Sequence, residues 1–245
     1  MHARRILIPA WQLLWRSVEA LEHALMPRRC VFCGAVRTGS EELICTGCNT
    51  ELPRTGHQCP ACARPLATAL AEGVVCADCQ ARPPPLTAVA APFRYEFPVD
   101  AAIKMYKFRR RLYYAPAFSE LLRPAFESLP EEIDALLPVP LHWLRHGIRG
   151  FNQAEEICTL LQKSTGLPVI RNVRRLRATP YQSGLSARER RRNLSQAFAV
   201  RGTITARHVL IVDDVITTGE TCRQVATELQ AHGVEKVSAL ALARA

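Results

Sequence analysis

Two adjacent carboxylates followed by threonines and a glycine are the part of this sequence best suited to chemistry. The apolar run 209–212 leads directly into Asp213 and Asp214, and a turn rich in hydroxyl groups follows. In an open α/β sheet, ligands bind just beyond the carboxyl ends of the strands, and the backbone N–H groups of a turn that opens a helix bind anions. The pattern predicts that the carboxylates bind sugar hydroxyls, whereas the simpler alternative is a capped helix. The predicted phosphate-binding residues are Thr217, Thr218, Gly219, Glu220 and Thr221.

Eight of the ten cysteines form four Cys-x-x-Cys pairs. Two such pairs supply four thiolates to one tetrahedral Zn²⁺ site, which has no open position for water and is therefore structural. Even spacing and the lack of a cleavable N-terminal signal disfavour a disulfide scaffold. Pairing in sequence order gives sites over 30–48 and 59–79, although the spacing leaves a cross-braced pairing open. The predicted ligands of two Zn²⁺ ions are Cys30, Cys33, Cys45, Cys48, Cys59, Cys62, Cys76 and Cys79.

The elements that position these groups follow from proline and apolar patterning. The run of three prolines at 83–85 predicts a boundary between a zinc module (30–82), preceded by an amphipathic helix (1–29), and a domain over 86–245. In that domain, apolar strands (88–95, 135–141, 208–212, 236–243) alternate with helices (99–110, 115–128, 152–164, 220–232), which indicates a parallel α/β sheet flanked by helices. Cys158 and Cys222 fall in helical patterns and are predicted to be small core residues. No segment is apolar enough to span a bilayer, so we expect a cytoplasmic protein without stable membrane insertion.

The positive charge is concentrated in one segment. The net charge is +10, and residues 138–201 alone carry twelve basic and three acidic side chains, which points to a polyanionic ligand. Lys104, Lys107 and Arg111 have the spacing of one helix face and are interleaved with aromatic residues, a pattern suited to single-stranded nucleic acid. Solvated surface charge is the alternative for each basic run. The candidates for binding a diphosphate are Arg149, Asn152, Gln153, Gln182, Arg190 and Asn193.

The carboxylate and threonine segment closely resembles the phosphoribosyl pyrophosphate (PRPP) loop of type I phosphoribosyltransferases. The resemblance implies that Asp213 and Asp214 hold the ribose hydroxyls and that residues 217–221 surround the 5′-phosphate. It also implies Mg²⁺, carried mainly by substrate oxygens. Thr217 stands where oxopurine-specific members have a carboxylate, which argues against hypoxanthine or guanine as the acceptor.

A second resemblance covers nearly the whole chain. The segments 137–141, 149–153, 179–182, 184–186 and 189–193, together with 107–109 and the cysteine pairs, resemble the ComF family of ComFC-type competence proteins. This resemblance implies a double zinc ribbon joined to a type I phosphoribosyltransferase-like parallel sheet, and a role in DNA uptake. It further implies single-stranded DNA and a helicase-type competence protein as partners.

Three functions are compatible with these features. The first is transfer of a phosphoribosyl group from PRPP to an unidentified acceptor, with no residue standing out as a general base. The second is a competence factor that binds single-stranded DNA and uses the PRPP loop as a non-catalytic ligand or sensor site. The third makes the zinc module the functional part, in which case PRPP would not bind.

Overall fold

The computed structural model describes residues 29–36, 43–130, 132–176 and 197–245. The chain divides into two compact units, Met1–Glu51 and Leu52–Ala245, and this division falls between the two cysteine groups of the predicted zinc module. In the described part of the first unit, Arg29 and Val36 form an isolated antiparallel β-bridge. A short helix, α1, spans Thr46–Glu51. The predicted helix over 1–29 lies outside the described residues except for Arg29.

The second unit contains the alternating strands and helices. Its helices are α2 (Ala77–Ala81), α3 (Val99–Arg109), α4 (Tyr114–Glu127), α5 (Trp143–Arg149), α6 (Gln153–Thr165) and α7 (Glu220–Ala231). Its strands are β1 (Val89–Ala90), β2 (Phe93–Arg94), β3 (Ala135–Pro138), β4 (Val173–Arg175), β5 (Phe198–Val200), β6 (His208–Ile216) and β7 (Lys236–Arg244). No helix in the described ranges is long and apolar enough to cross a membrane.

The main sheet is parallel and has the order β1–β7–β6–β3, with β2 also pairing with β7. β1 and β2 are consecutive segments along β7, with Val89 opposite Ala239 and Phe93 opposite Ala243. Pro92 lies between them and has no N–H to continue the ladder. Helices flank this sheet, so the predicted α/β architecture is confirmed, while β4 and β5 form a separate antiparallel pair.

Helix periodicity explains how the helices cover the sheet. In α6, the buried residues Ala154, Ile157, Cys158 and Leu161 recur every three or four positions and form one apolar face. Gly166 ends this helix with a left-handed conformation. In α7, Cys222 is buried in the same core as Val225 and Leu229. Both cysteines are core residues, as their patterns predict.

The structure also departs from the predicted elements. β6 continues to Ile216 instead of ending at residue 212, because its pairing with β7 extends to Ile216 opposite Arg244. α3 ends at Arg109, and Arg110 adopts a left-handed conformation. Arg111 therefore does not share a helix face with Lys104 and Lys107. The short helix α5 and the β4–β5 pair were not predicted.

Candidate functional site

The two carboxylates lie near the carboxyl end of β6, which is a central strand of the sheet. Asp214 is buried, with only 5% of its surface exposed, and its Oδ1 lies 2.8 Å from the Lys107 Nζ on α3. Asp213 Oδ1 accepts a 2.8 Å hydrogen bond from the backbone N–H of Asp214. A buried carboxylate is tolerated where a positive charge compensates it, which Lys107 provides for Asp214.

Burial and neighbouring charges shift the pKa values of Asp213 and Lys107. Burial and the charge of Asp214 raise the pKa of Asp213, Lys107 opposes both effects, and the resulting pKa is about 7. Burial alone would lower the pKa of Lys107, but Asp214 outweighs burial and raises it. At neutral pH Lys107 is therefore charged, while Asp213 titrates.

Residues 217–221, here called the hydroxyl loop, connect β6 to α7. Gly219 has φ +77°, a left-handed conformation, and is the N-cap of α7. A Cβ at this position would lie 3.9 Å from Ile216 Cγ2, so the backbone conformation rather than space favours glycine here. Thr217 and Thr218 are exposed, and Thr218 Oγ1 accepts from the Glu220 N–H at 3.4 Å. The loop thus presents hydroxyl groups at the beginning of a twelve-residue helix.

Glu220 differs from its neighbours in the hydroxyl loop. Its side chain is buried, and its Oε1 accepts a 2.9 Å hydrogen bond from Gln224 Nε2 within α7. The Glu220 carboxylate is therefore hydrogen-bonded within α7. Thr221, one residue later, is half-buried in the first turn of α7.

The predicted diphosphate residues at the start of α6 are near the carboxylates. Arg149 Nη1 donates to Gln153 Oε1 at 2.6 Å, and its guanidinium lies 5.5 Å from the Phe108 ring centre. The positive charge of Arg149 also acts to lower the pKa of Lys107. Gln153 is buried, and its Nε2 has no hydrogen-bond partner among the described residues.

Asn152 has a structural role at the same place. Its Oδ1 accepts from the Ala154 N–H at 3.1 Å, which caps α6, and its Nδ2 donates to the Val139 carbonyl at 3.1 Å. Both polar atoms are thus bonded within the protein. Gln182, Arg190 and Asn193 lie outside the described residues, so their predicted roles stay predictions.

Sequence reasoning missed two cationic contributors to this site, Lys107 and Arg175. Lys107 was placed on a nucleic-acid face, yet its ammonium group pairs with Asp214. Burial lowers the pKa of Arg175 on β4, the charge of Arg145 lowers it further, and Asp213 opposes both, so Arg175 also interacts with this carboxylate. One usable signal for Lys107 is its type, because the chain has few lysines among 32 basic residues.

The eight cysteines form two separate tetrads, as pairing in sequence order predicts. The first tetrad is Cys30, Cys33, Cys45 and Cys48, and the second tetrad is Cys59, Cys62, Cys76 and Cys79. In each tetrad the four sulfurs lie within 4.8 Å of one another. The cross-braced alternative is thereby excluded.

The sulfur geometry fits a tetrahedral Zn²⁺ ion. Zn–S bonds of about 2.3 Å place the sulfurs of a tetrahedron about 3.8 Å apart. The Cys33–Cys45 and Cys62–Cys76 sulfurs lie 3.7 Å and 3.8 Å apart. Burial raises the pKa of Cys59, but backbone N–H groups of Cys76 and Ala61 outweigh it and bring the pKa to about 7. Burial raises the pKa of Cys62 and Cys79 in the same tetrad, so a Zn²⁺ ion would displace their protons on binding.

Oxygen ligands do not assemble in the same way. Within the described ranges, the groups of three or more metal-ligating side chains are the two cysteine tetrads. Asp214 is paired with Lys107, and Asp213 is partly protonated at neutral pH. This donor set fits a hard cation such as Mg²⁺ when a ligand supplies most of the oxygens, and does not form a closed cage of its own.

Two family models match separate parts of the chain. Residues 21–80 match the double zinc ribbon domain, and residues 148–245 match the phosphoribosyl transferase domain. Among solved structures, an adenine phosphoribosyltransferase aligns with 56% of this chain and 70% of its own, at 15% identity and a TM-score of 0.32. That likeness is too distant to bear on function.

Several relatives match over most of their length. DNA utilization protein YhgH of Salmonella typhimurium is 33% identical over 228 residues, covering 89% of this chain and 98% of the relative. Competence protein F of Haemophilus influenzae is 31% identical over 232 residues, covering 89% and 97%. Competence protein ComFC of Bacillus subtilis is 26% identical over 215 residues, covering 83% and 85%.

Proposed function

The chain belongs to the ComF family, whose members join a double zinc ribbon to a phosphoribosyltransferase domain, and on this premise we propose that it binds PRPP with Mg²⁺. The observation that carries the proposal is the end of β6. There, two carboxylates near the end of the strand are followed two residues later by the hydroxyl loop and the start of α7, with Lys107 against Asp214. A sugar phosphate needs both parts, since carboxylates accept from its hydroxyls and the loop donates to its phosphate.

Each part of PRPP has a counterpart among the described residues. Asp213 and Asp214 would accept hydrogen bonds from the two ribose hydroxyls. The backbone N–H groups and hydroxyls of the hydroxyl loop would donate to the 5′-phosphate. Arg149 and Lys107 add positive charge where the pyrophosphate would lie, with Mg²⁺ brought by the pyrophosphate oxygens.

The reaction we propose is transfer of the phosphoribosyl group to a nucleophile. The bond between the anomeric carbon and a pyrophosphate oxygen breaks, the nucleophile bonds to that carbon, and pyrophosphate leaves with the bonding electron pair. The nucleophile loses a proton to solvent or to the pyrophosphate. Positioning and the nearby cations, rather than a dedicated general base, would lower the barrier. The names of the relatives support a role for this activity in DNA uptake.

Isothermal titration of the full-length protein with PRPP and Mg²⁺ tests the proposal. Asp214→Asn should weaken binding about 10–100-fold, because one charge-assisted hydrogen bond contributes roughly 1.5–3 kcal/mol. Glu235→Gln is the control. Glu235 lies just before β7, at the amino end of the strands and away from the carboxylates, where it pairs with Arg207. No binding by the wild type would contradict PRPP binding, and equal binding by Asp214→Asn would contradict the role assigned to Asp214. Release of pyrophosphate on addition of candidate acceptors would then test transfer.

A specific surface favours the second function, single-stranded DNA binding. Lys107, Phe108, Arg110, Arg145, Ile148 and Arg149 line a cleft of about 370 Å³, here called the aromatic cleft. Phe108 is 64% exposed and Ile148 82% exposed. Aromatic rings beside arginines bind single strands through base stacking and phosphate contacts.

Fluorescence anisotropy with labelled oligothymidylate tests this second function. Phe108→Ala should weaken binding by about 1–3 kcal/mol, the contribution of one stacked base. Phe97→Ala is the matched control, since Phe97 is also highly exposed but does not line the aromatic cleft. Equal affinities of the two variants would contradict DNA binding at this cleft.

A double variant separates the two functions. If Asp213→Ala combined with Asp214→Ala abolished PRPP binding but kept full biological activity, the enzymatic function would be excluded.

A further inference from the structure

One arginine at the end of β7 contacts both the second tetrad and the hydroxyl loop. Arg244 is only 8% exposed, and its Nε donates to the Cys62 carbonyl at 3.2 Å. Its Nη1 donates to the Ile216 carbonyl at 3.2 Å and also contacts the carbonyls of Thr217 and Ala245. A single guanidinium thus joins a zinc-ligating residue to the backbone where the hydroxyl loop begins.

The cysteine knuckle formed by residues 59–62, whose Cys62 carbonyl accepts a hydrogen bond from Arg244, is fixed to the sheet. The Val89 N–H of β1 donates to the Pro60 carbonyl at 2.7 Å. Ala63, directly after Cys62, is fully buried in the sheet's hydrophobic core together with Val89 and Ile216. The position of this knuckle is therefore set by the same core that supports the end of β6.

Direct packing between the second tetrad and the loop is limited. A cavity of about 710 Å³ separates them, lined by Cys62, Cys79, Thr217 and Gly219 among others. Arg244 lines this cavity and spans it with hydrogen bonds. Four thiolates with one Zn²⁺ carry two negative charges, which favour a guanidinium beside them.

We propose that Arg244 is a positioning residue that holds the hydroxyl loop in its binding conformation and makes that conformation depend on the second tetrad. Loss of zinc would release Cys62 and remove one anchor of the guanidinium. The loop backbone would then have to be ordered when a ligand binds, at a cost in affinity. The effect on PRPP affinity rests on the proposed function, whereas the effect on loop order does not.

Two matched pairs of full-length variants test this inference. Arg244→Lys keeps the charge but loses the planar fork, and Arg223→Lys is its control. The Arg223 guanidinium lines the same cavity but donates to the carbonyls of Arg82 and Pro83, which lie outside the loop. Cys79→Ser removes a ligand of the second tetrad, and Cys48→Ser removes one from the first tetrad, which belongs to the other compact unit.

Amide hydrogen exchange of residues 216–221 without ligand is the first measurement. We expect exchange about tenfold faster in Arg244→Lys and Cys79→Ser, and unchanged exchange in Arg223→Lys and Cys48→Ser. Titration with PRPP and Mg²⁺ is the second measurement, and the affinity should fall about tenfold in the same two variants.

The outcomes separate this inference from the proposed function. Unchanged exchange in Arg244→Lys overturns the inference, and this variant decides alone if Cys79→Ser does not fold. Equal acceleration in Arg223→Lys would also overturn it, because the effect would then come from the cavity wall in general. A wild type that fails to bind PRPP overturns the proposed function, while the exchange comparison still decides the role of Arg244.

Discussion

At the scale of single residues, the unequal surroundings of Asp213 and Asp214 decide what the site can do. The Lys107 ammonium group lies 2.8 Å from Asp214 Oδ1, and Asp214 raises the pKa of this lysine, so a cation directly faces Asp214. Burial and the Asp214 charge raise the pKa of Asp213 to about 7. The strength of hydroxyl binding by Asp213 should therefore increase as the pH rises through neutrality.

Asp213→Asn should stabilise the protein, and more so at high pH. The folded-state pKa lies above the unfolded value of about 3.9, so the folded state binds more protons between these values. The ionised carboxylate thus lowers the free energy of unfolding as the pH rises through about 4–7, and the penalty is complete above about 7. We expect Asp213→Asn to raise Tm more at pH 8 than at pH 5.5, by about 2–4 °C per kcal/mol gained.

Thermal unfolding of wild type and variant at the two pH values measures this difference. Asp100→Asn gives a control of opposite sign, because Lys104 lowers the pKa of Asp100 and its carboxylate contributes stability above the unfolded pKa. A Tm gain for Asp213→Asn that is equal at both pH values would show that Asp213 is not protonated near neutrality.

At the scale of elements, the start of α6 connects a helix to the end of the neighbouring strand. Asn152 caps α6 through Oδ1 and reaches the Val139 carbonyl, just after β3, through Nδ2. Arg149 and Gln153 lie on either side of this cap. The geometry of the diphosphate candidates therefore depends on one buried asparagine.

Asn152→Ala should lower the free energy of unfolding by about 1–2 kcal/mol, the usual cost of losing a helix N-cap. Asn152→Asp keeps the capping oxygen but cannot donate to the Val139 carbonyl, so comparing the two variants separates the two bonds. Chemical denaturation gives both values. Equal stability of Asn152→Ala and the wild type would contradict a structural role for this side chain.

The elements also show what sequence patterning can predict. The tetrads and the β6–loop–α7 segment were predicted because their information is local, in spacings of a few residues. α5 was missed because none of its seven residues is buried, so it has no apolar periodicity to detect. Lys107 and Arg244 were missed as site residues because their partners, Asp214 and Cys62, lie far away in sequence.

At the scale of the whole molecule, the second tetrad belongs with the sheet. Cys59 and Cys62 lie in the compact unit Leu52–Ala245, and Ala63 is part of the sheet's core. The first tetrad belongs to the unit Met1–Glu51. The predicted boundary at residues 82–86 stays a prediction, and a fragment can test it against a division after Glu51.

A fragment spanning Leu52–Ala245 should fold on its own and bind one Zn²⁺ per chain, where the full chain binds two. Its core and one complete tetrad lie within these residues, and four thiolates suffice for a structural zinc site. Metal analysis by mass spectrometry and a cooperative thermal transition check both statements. A fragment that lacks zinc or a cooperative transition would show that the two tetrads form one folding unit.

The burial of Ala63 has a consequence for how this architecture can be recombined. A zinc ribbon that contacted only the surface of the domain could be exchanged between related proteins with the junction placed in the proline run at 83–85. Here the knuckle contributes a side chain to the interior and accepts a hydrogen bond from β1. A chimaera built at the proline run would replace one half of a packed interior and keep the other. Exchange of the second ribbon therefore requires β1 and the end of β7 to be transferred with it.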